Sequence, residues 1–218
     1  VAERADAAGG RGEGGVKSGS PWPFGDLPRA SANVIYADPA WRYSVFSKKG
    51  EAKSASRHYE TMPLADICAL PVADLAAPSA HLFLWATAPH LRQAFTVMDA
   101  WGFSYSSVAF VWVKLNRSHQ ISPRLFLADC DAFMGMGHTT RQNAEFVLLG
   151  RRGAPKRKVK SIRQMVFSPV REHSRKPDEV RALIERYADG PRVELFARTK
   201  ADGWMVWGNE TSKFGAVA

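Results

Sequence analysis

The chain has 218 residues, 45% of them hydrophobic and 23% charged, which is typical of one globular domain or of one domain with a tail. Its longest apolar runs are too short to span a bilayer, and its first twenty residues lack the apolar stretch of a secretory signal. We therefore exclude a membrane protein and expect a cytoplasmic one. Two cysteines cannot form a disulfide framework, and a net charge of +9 favours a polyanionic partner.

Residues 1–20 are rich in Gly and Ala and are predicted to be a disordered tail, with a single domain over residues 21–218. Short apolar runs predict strands over Asn33–Asp38, His81–Ala86, Val108–Lys114, Glu145–Gly150 and Arg192–Ala197. Helical patterns lie between them, at Leu64–Leu70, Pro89–Trp101 and Pro177–Ala188. This alternation predicts an α/β protein with a mostly parallel sheet and helices on both faces.

Ligands of such sheets bind outside the carboxyl ends of the strands, so the residues that follow each run, including Arg151 and Arg152, are candidates for a site. The most informative of these segments is Asp38-Pro39-Ala40-Trp41. The Asp38 carboxylate and the Pro39 carbonyl are hydrogen-bond acceptors, and Trp41 supplies a flat ring. Together they suit a planar group with an NH2, such as a flipped adenine. Taken alone, the tetrapeptide is more typical of a simple turn that ends a strand.

Residues 151–163 contain seven Lys or Arg and no acid, which favours contact with nucleic acid, although a solvated loop has the same composition. The candidate phosphate contacts are Arg151, Arg152, Lys156, Arg157 and Lys158. The segment 42–60 is rich in Gly, Ser and Lys, and it is either a plain surface loop or a lid that brings Tyr43, His58 and Tyr59 to the substrate. The histidines lack the spacing of a zinc site, so no metal is expected.

Several blocks in one order give the chain a resemblance to the DPPW family of amino-group methyltransferases. This family includes the catalytic subunit of the eukaryotic mRNA adenosine methyltransferase and bacterial and phage DNA adenine methyltransferases. The similarity covers about residues 33–210. The blocks are VIYADPAWRY, HYETM, HLFLWAT, WGF with WVK, GHTTRQNAEFVLLGRRG, REHSRKPDE and IER with VELFAR and GWMVWGNE.

The resemblance implies a Rossmann-like fold that binds S-adenosylmethionine, with the catalytic motif preceding the cofactor motifs along the chain. By position, Asp38 and the Pro39 carbonyl would hold the target amine, Trp41 would stack on the base, and Asp38 would also face the cofactor. The cofactor's carboxylate would pair with Lys176. The rest of the cofactor pocket would be formed by Glu194, Arg198, Asn209 and Glu210.

One position departs from the family pattern, because Ala40 replaces the usual second proline of the tetrapeptide. We predict methyl transfer to the 6-amino group of adenine in DNA, with DNA favoured over RNA as the partner. The same reaction on RNA and a non-catalytic nucleic-acid-binding subunit are the alternatives. A homodimer or a heterodimer is compatible with either role.

Overall fold

Seven strands form one mixed sheet at the centre of the protein. The structure is a computed structural model, and it describes residues 21–42, 61–117, 132–135 and 139–214. The predicted tail, residues 1–20, lies outside this part of the chain. So do Tyr43, His58 and Tyr59, and their proposed role over the substrate stays a prediction.

The strands include all five that the apolar runs predict. They are β1 (Ala32–Ala37), β2 (Ala76–Thr87), β3 (Ser104–Leu115), β4 (Ala144–Arg152), β5 (Met165–Pro169), β6 (Arg192–Leu195) and β7 (Trp204–Trp207). Their order across the sheet is β5-β3-β4-β2-β1-β6-β7. The two strands that were not predicted, β5 and β7, are short and lie at the two edges of the sheet. Edge strands are less buried, so their sequences show a weaker apolar pattern.

The three predicted helices are present with slightly different ends. The helices are α1 (Leu64–Ala69), the short α2 (Val72–Leu75), α3 (Leu91–Ala100) and α4 (Asp178–Tyr187), and a 3-10 turn covers Ala88–His90. Helices α1 and α3 pack against one face of the sheet through Ile67, Val97 and Met98. Helix α4 packs against the other through Val180 and Ile184. The prediction of helices on both faces is confirmed.

Strand β4 runs opposite to the other six, because it pairs antiparallel with both β2 and β3. A central strand buried on both faces is apolar along its length in either direction, so its sequence could not reveal this. The pairing sets Glu145 beside Thr87 and Arg151 beside His81. The expectation that the residues after β4 join the carboxyl ends of the other strands is therefore wrong, and the start of β4 lies there instead.

Candidate active site

The carboxyl ends of β1 and β6 border a cleft that contains most of the predicted cofactor residues. The chain leaves β1 toward β2 on one side and leaves β6 toward β7 on the other. In open α/β sheets, this reversal of strand order opens a crevice that binds ligands. We call it the Asp38 cleft, and its lining includes Asp38, Lys176, Glu194 and Arg198.

Asp38 and Pro39 follow β1 directly and turn the chain sharply. The Trp41 N–H donates to the Pro39 carbonyl at 2.8 Å, and the Met62 N–H donates to the Ala40 carbonyl at 3.0 Å. These bonds fix the turn from both sides. A carbonyl oxygen has two lone pairs, so that of Pro39 can accept a further hydrogen bond while keeping the turn.

The Trp41 side chain supports this turn from below. It is only 5% exposed, and its indole N–H donates to the Trp85 carbonyl at 3.2 Å. The ring stacks on His90, with centroids 5.6 Å apart. Burial lowers the pKa of His90, against the hydrogen bond to the Arg42 carbonyl, which raises it. Trp41 thus lies in the core of the described structure, and its stacking on a substrate base stays a prediction.

Lys176 joins the cleft to a second carboxylate that the sequence did not single out. Its ammonium lies 2.9 Å from the Asp38 carboxylate and 3.3 Å from that of Glu145. A second ammonium, that of Lys114, lies 2.5 Å from the other Glu145 oxygen. The four groups form a chain of alternating charge, Asp38–Lys176–Glu145–Lys114, whose formal charges cancel.

This network holds Glu145 as a carboxylate although it is buried. Burial by itself would raise the pKa of Glu145, but the ammonium groups of Lys176 and Lys114 outweigh it and hold the pKa below its usual value. The antiparallel direction of β4 is what brings Glu145 to this edge. Both Glu145 and Lys114 lie inside the sequence blocks that carry the family resemblance. Their place in these blocks is the one sequence feature that could have identified them as site residues.

Glu194 lies at the end of β6 and is engaged by an arginine of α4. Its Oε2 accepts from Arg181 Nη2 at 2.8 Å and from Arg181 Nε at 3.1 Å. Burial raises the pKa of Glu194, although Arg181 opposes the shift. The pKa of Tyr36 beneath it is also raised, by burial and by Glu194. Arg181 fixes how the Glu194 carboxylate faces the cleft, and no sequence pattern predicts this contact.

The predicted cofactor residues that follow β6 in the chain differ in their position relative to the Asp38 cleft. Arg198 lines the cleft, and its Nε is 3.7 Å from a carboxylate oxygen of Glu210. The other Glu210 oxygen is 2.5 Å from the Lys213 ammonium. Asn209 is exposed and is not among the described residues that line the cleft. Its contribution to a cofactor pocket stays a prediction.

Two residues of the cleft have backbone angles that are rare for non-glycine residues. Phe196, which follows β6, and Ser174, two residues before Lys176, both have φ of +61°. Such conformations cost on the order of 1 kcal/mol and persist where the surrounding structure enforces them. Here they lie on the two segments that present Arg198 and Lys176 to the cleft.

The predicted phosphate-contacting residues lie away from this cleft. Arg151 and Glu145 are six residue steps apart along β4, which is about 20 Å. Arg152 donates to the Ala73 carbonyl, and Lys158 pairs with Asp189 at 2.8 Å. Lys156 and Arg157 are exposed on the segment that follows β4. Their contact with nucleic acid stays a prediction.

Two structural features are absent from the described ranges. No group of three or more His, Cys, Asp or Glu residues is arranged to hold a metal ion there. None of the helices in these ranges has both the length and the apolar character needed to cross a membrane.

Fold and cleft together define an α/β protein with a cleft at a reversal of strand order, in which an Asp-Pro turn is paired with a mostly buried lysine. A family model described as MT-A70 matches residues 32–210. The chain belongs to the MT-A70 family, as the resemblance of its motifs predicts.

Curated relatives agree with this membership. The chain is 31% identical over 205 residues to the type II methyltransferase M.MunI of Mycoplasma sp, which covers 86% of this chain and 81% of the relative. It is 28% identical over 192 residues to the human N(6)-adenine-specific methyltransferase METTL4, and 25% over 181 residues to the human N(6)-adenosine-methyltransferase catalytic subunit METTL3. These matches cover 87% and 81% of this chain, but only 39% and 28% of the two human proteins. Family and relatives together support N6-adenine methylation.

Proposed function

We propose that the chain methylates the 6-amino group of adenine in DNA, with S-adenosylmethionine as the methyl donor. The observation that carries the proposal is the Asp38–Lys176 pair at the strand-order reversal, directly beside the Pro39 carbonyl. DNA is preferred over RNA because the DNA methyltransferase M.MunI aligns over 81% of its own length, whereas METTL3 aligns over 28%. We also infer that the sheet is a Rossmann-like cofactor fold.

The chemistry of the cleft fits this cofactor. S-adenosylmethionine carries a carboxylate, an ammonium, ribose hydroxyls and a methyl group made electrophilic by its sulfonium. The cleft offers cations in Lys176 and Arg198, and acceptors in Asp38 and Glu194. A carboxylate can accept both hydroxyls of a ribose, and a lysine is a point charge suited to a carboxylate. Asn209 and Glu210 would complete the pocket.

Within the proposed mechanism, Asp38 and Pro39 act on the target amine. The lone pair of the adenine amine is delocalised into the ring, so the amine is a poor nucleophile until its N–H groups are held by acceptors. Asp38 accepts from one N–H and the Pro39 carbonyl from the other, and both bonds strengthen as positive charge builds on the nitrogen. Asp38 can then receive the proton that the methylated nitrogen releases.

The other members of the charge network position Asp38. The Lys176 ammonium orients the Asp38 carboxylate, and Glu145 in turn holds Lys176 in place. Groups held in this way need not reorganise during the reaction, which is the main source of electrostatic catalysis. We therefore assign Glu145 and Lys114 as positioning residues. They act on the amine only through Lys176 and Asp38.

The test is transfer of a labelled methyl group to matched DNA and RNA oligonucleotides. Each contains one adenine in varied flanking sequence, and a control set replaces that adenine with purine, which lacks the 6-amino group. Label in adenine-containing DNA and in none of the purine oligonucleotides is the expected result. Label in RNA alone would move the proposal to RNA, and cofactor binding without any transfer would favour the non-catalytic subunit.

A further inference from the structure

A second depression lies on the sheet face that α4 covers, over strands β2, β3 and β4. We call it the basal groove. Its volume is about 490 Å³, and it shares no lining residue with the Asp38 cleft. The lining residues used below are His81, Phe110, Arg151, Arg157, Gln164 and Tyr187.

The floor of the basal groove is aromatic. The rings of Phe83 and Phe110 are nearly parallel, at 14°, with centroids 6.2 Å apart. Tyr187, the last residue of α4, meets Phe83 edge-on at 5.5 Å. Phe83 and Phe110 are 0% and 2% exposed, so the half-buried Tyr187 is the ring of this floor on which a base can stack. Stacking of a base on an aromatic side chain is largely independent of sequence.

Two cations stand at the rim without a counter-charge. Arg151 and Arg157 line the groove and are exposed, and neither guanidinium forms an ion pair or a side-chain hydrogen bond with a described residue. No Asp or Glu is among the described residues that line the groove. Arginines in this state are available for bidentate contact with a phosphate.

His81 gives a second, independent sign of a ligand. Its side chain reaches the groove, although the residue is only 2% exposed. The imidazole touches the rings of Phe83 and Tyr187, and neither ring nitrogen has a hydrogen-bond partner in the described part of the chain. The ring nitrogens are not among the buried unpaired atoms of the described residues, so they open to the groove, where the edge of a ligand can bond to them.

One side of the basal groove is formed by residues 154–164, and hydrogen bonds within the protein hold this segment in place. It leaves β4 at Gly153, where φ is +62° and a side chain would meet the Pro78 carbonyl at 2.4 Å. The Lys158 N–H then donates to the Tyr187 carbonyl at 2.7 Å, and Gln164 Nε2 donates to the Val108 carbonyl at 2.6 Å. Anchors at both ends keep the groove preformed, which limits the entropy lost on binding.

We propose that the basal groove binds one nucleotide unit, with its base on the aromatic floor against His81 and its phosphate on Arg151 and Arg157. Two sources carry this chemistry, namely a nucleotide of a bound strand and a free nucleoside monophosphate. For a strand, the inference rests on the proposed function, and it extends that function to a contact remote from the target adenine. Arg151 lies about 20 Å along β4 from Glu145, which contacts Lys176 beside Asp38, and this distance corresponds to about six stacked nucleotides of one strand.

The charge on the rim is tested by binding of fluorescent oligothymidylate of sixteen residues, measured by anisotropy. This probe has no adenine, so the measurement does not depend on methyl transfer. The double variant Arg151→Gln/Arg157→Gln is compared with Lys160→Gln/Arg163→Gln, which removes the same charge from exposed residues of the same segment outside the groove. We expect at least a tenfold loss of affinity in the first and at most threefold in the second. Equal losses would overturn the proposal.

The variant His81→Phe distinguishes an effect on oligothymidylate binding from an effect on the stability of the fold. Phenylalanine keeps a ring against Tyr187 and removes the unpartnered nitrogens, so we expect an equal or higher melting temperature and a severalfold weaker affinity for the probe. Unchanged affinity in this variant would also overturn the proposal.

Competition by thymidine monophosphate distinguishes whether the groove binds a free nucleotide or a nucleotide of a strand. If the monophosphate competes with the probe at submillimolar concentration, and the groove variants lose this competition, the groove takes free nucleotides. If only the oligonucleotide binds in a groove-dependent way, the groove takes a strand. Failure of methyl transfer in the separate assay would refute the proposed function and leave these binding results standing.

Discussion

The Asp38 cleft, at the carboxyl ends of β1 and β6, and the basal groove, on the sheet face that α4 covers, differ in how their charged side chains are paired. In the cleft, Asp38, Lys176, Glu145 and Lys114 alternate in sign and contact one another. In the groove, Arg151 and Arg157 contact no described acid. The cleft is thus neutralised from within, whereas the groove needs its ligand to supply the opposite charge.

This difference suits the two regions to different tasks. A network whose charges cancel can be buried and held rigid, which is what electrostatic stabilisation of a reacting group needs. Unpaired arginines beside an aromatic floor bind an anion and discriminate little between sequences. Changes in the cleft should therefore act on transfer and stability, and changes in the groove should act on binding and its dependence on salt.

The largest expected effect comes from Asp38→Asn. The amide can turn a donor toward the target amine and cannot offset its growing positive charge, so transfer should fall by about 10³-fold. Asp99→Asn on α3, an exposed position, is the matched control and should retain full activity. Methyl transfer from labelled cofactor and binding of adenine-free oligothymidylate would be measured on the same preparations. Substantial transfer by Asp38→Asn would remove the proposed role of Asp38.

The second effect is on stability, through Lys176→Met. This change leaves Asp38 and Glu145 close together without the cation between them. Since both are mostly buried, the free energy of unfolding should fall by about 2–3 kcal/mol. Lys158→Met is the control, because it breaks an exposed pair and should cost at most about 1 kcal/mol. Urea denaturation measures both.

A double variant sharpens this result. Adding Asp38→Asn to Lys176→Met removes both partners of the pair, so part of the lost stability should return. If the two changes were simply additive, the network would be a set of independent surface charges and the contrast with the groove would fail.

Much of the fold could be predicted from the sequence, because strands that are buried on both faces, such as β1, β2 and β4, consist of long apolar runs. The direction of β4 could not be predicted, since antiparallel pairing leaves such a run unchanged. The edge strand β5 exposes Met165 and Phe167, and β7 has only four residues, so neither has a strong pattern.

For the site, sequence reasoning identified residues more readily than contacts. Asp38 and Lys176 were both selected, but the ion pair between them depends on how β1 and the segment before α4 converge. Glu145 was passed over because it opens an apolar strand, and Arg181 because it resembles an exposed helix residue. Trp41 was expected to face the substrate and lies at 5% exposure against His90. Such partnerships are set by tertiary packing.

The third effect is a pH dependence that originates in the groove. Burial, with a smaller contribution from Arg151, lowers the pKa of His81 from 6.5 to about 4. Between these values the unfolded chain binds a proton that the folded chain does not, so stability falls as the pH falls. The wild type should lose about 2 kcal/mol more than His81→Phe between pH 7 and pH 5. An equal loss of stability in the two proteins between pH 7 and pH 5 would contradict this prediction. So would a bound monophosphate that left the extra loss of the wild type unchanged.

The smallest expected effect concerns Ala40, the departure from the family tetrapeptide. The Ala40 carbonyl accepts from the Met62 N–H, whereas the Ala40 N–H donates to no described residue, so a proline there removes no hydrogen bond. Ala40→Pro should stiffen the turn by restricting the unfolded chain, which raises stability by at most about 1 kcal/mol and leaves transfer equal or faster.

The control for Ala40→Pro is a proline at a position that does donate a hydrogen bond. Met62→Pro removes the bond to the Ala40 carbonyl, and it should destabilise the turn and slow transfer. Thermal melting and single-turnover transfer rates would be compared for the three proteins, together with oligothymidylate affinity, which should not change because the groove is remote. A wild-type chain that gained activity only through Ala40→Pro would show that its cleft is built for binding, and both regions would then serve a non-catalytic subunit.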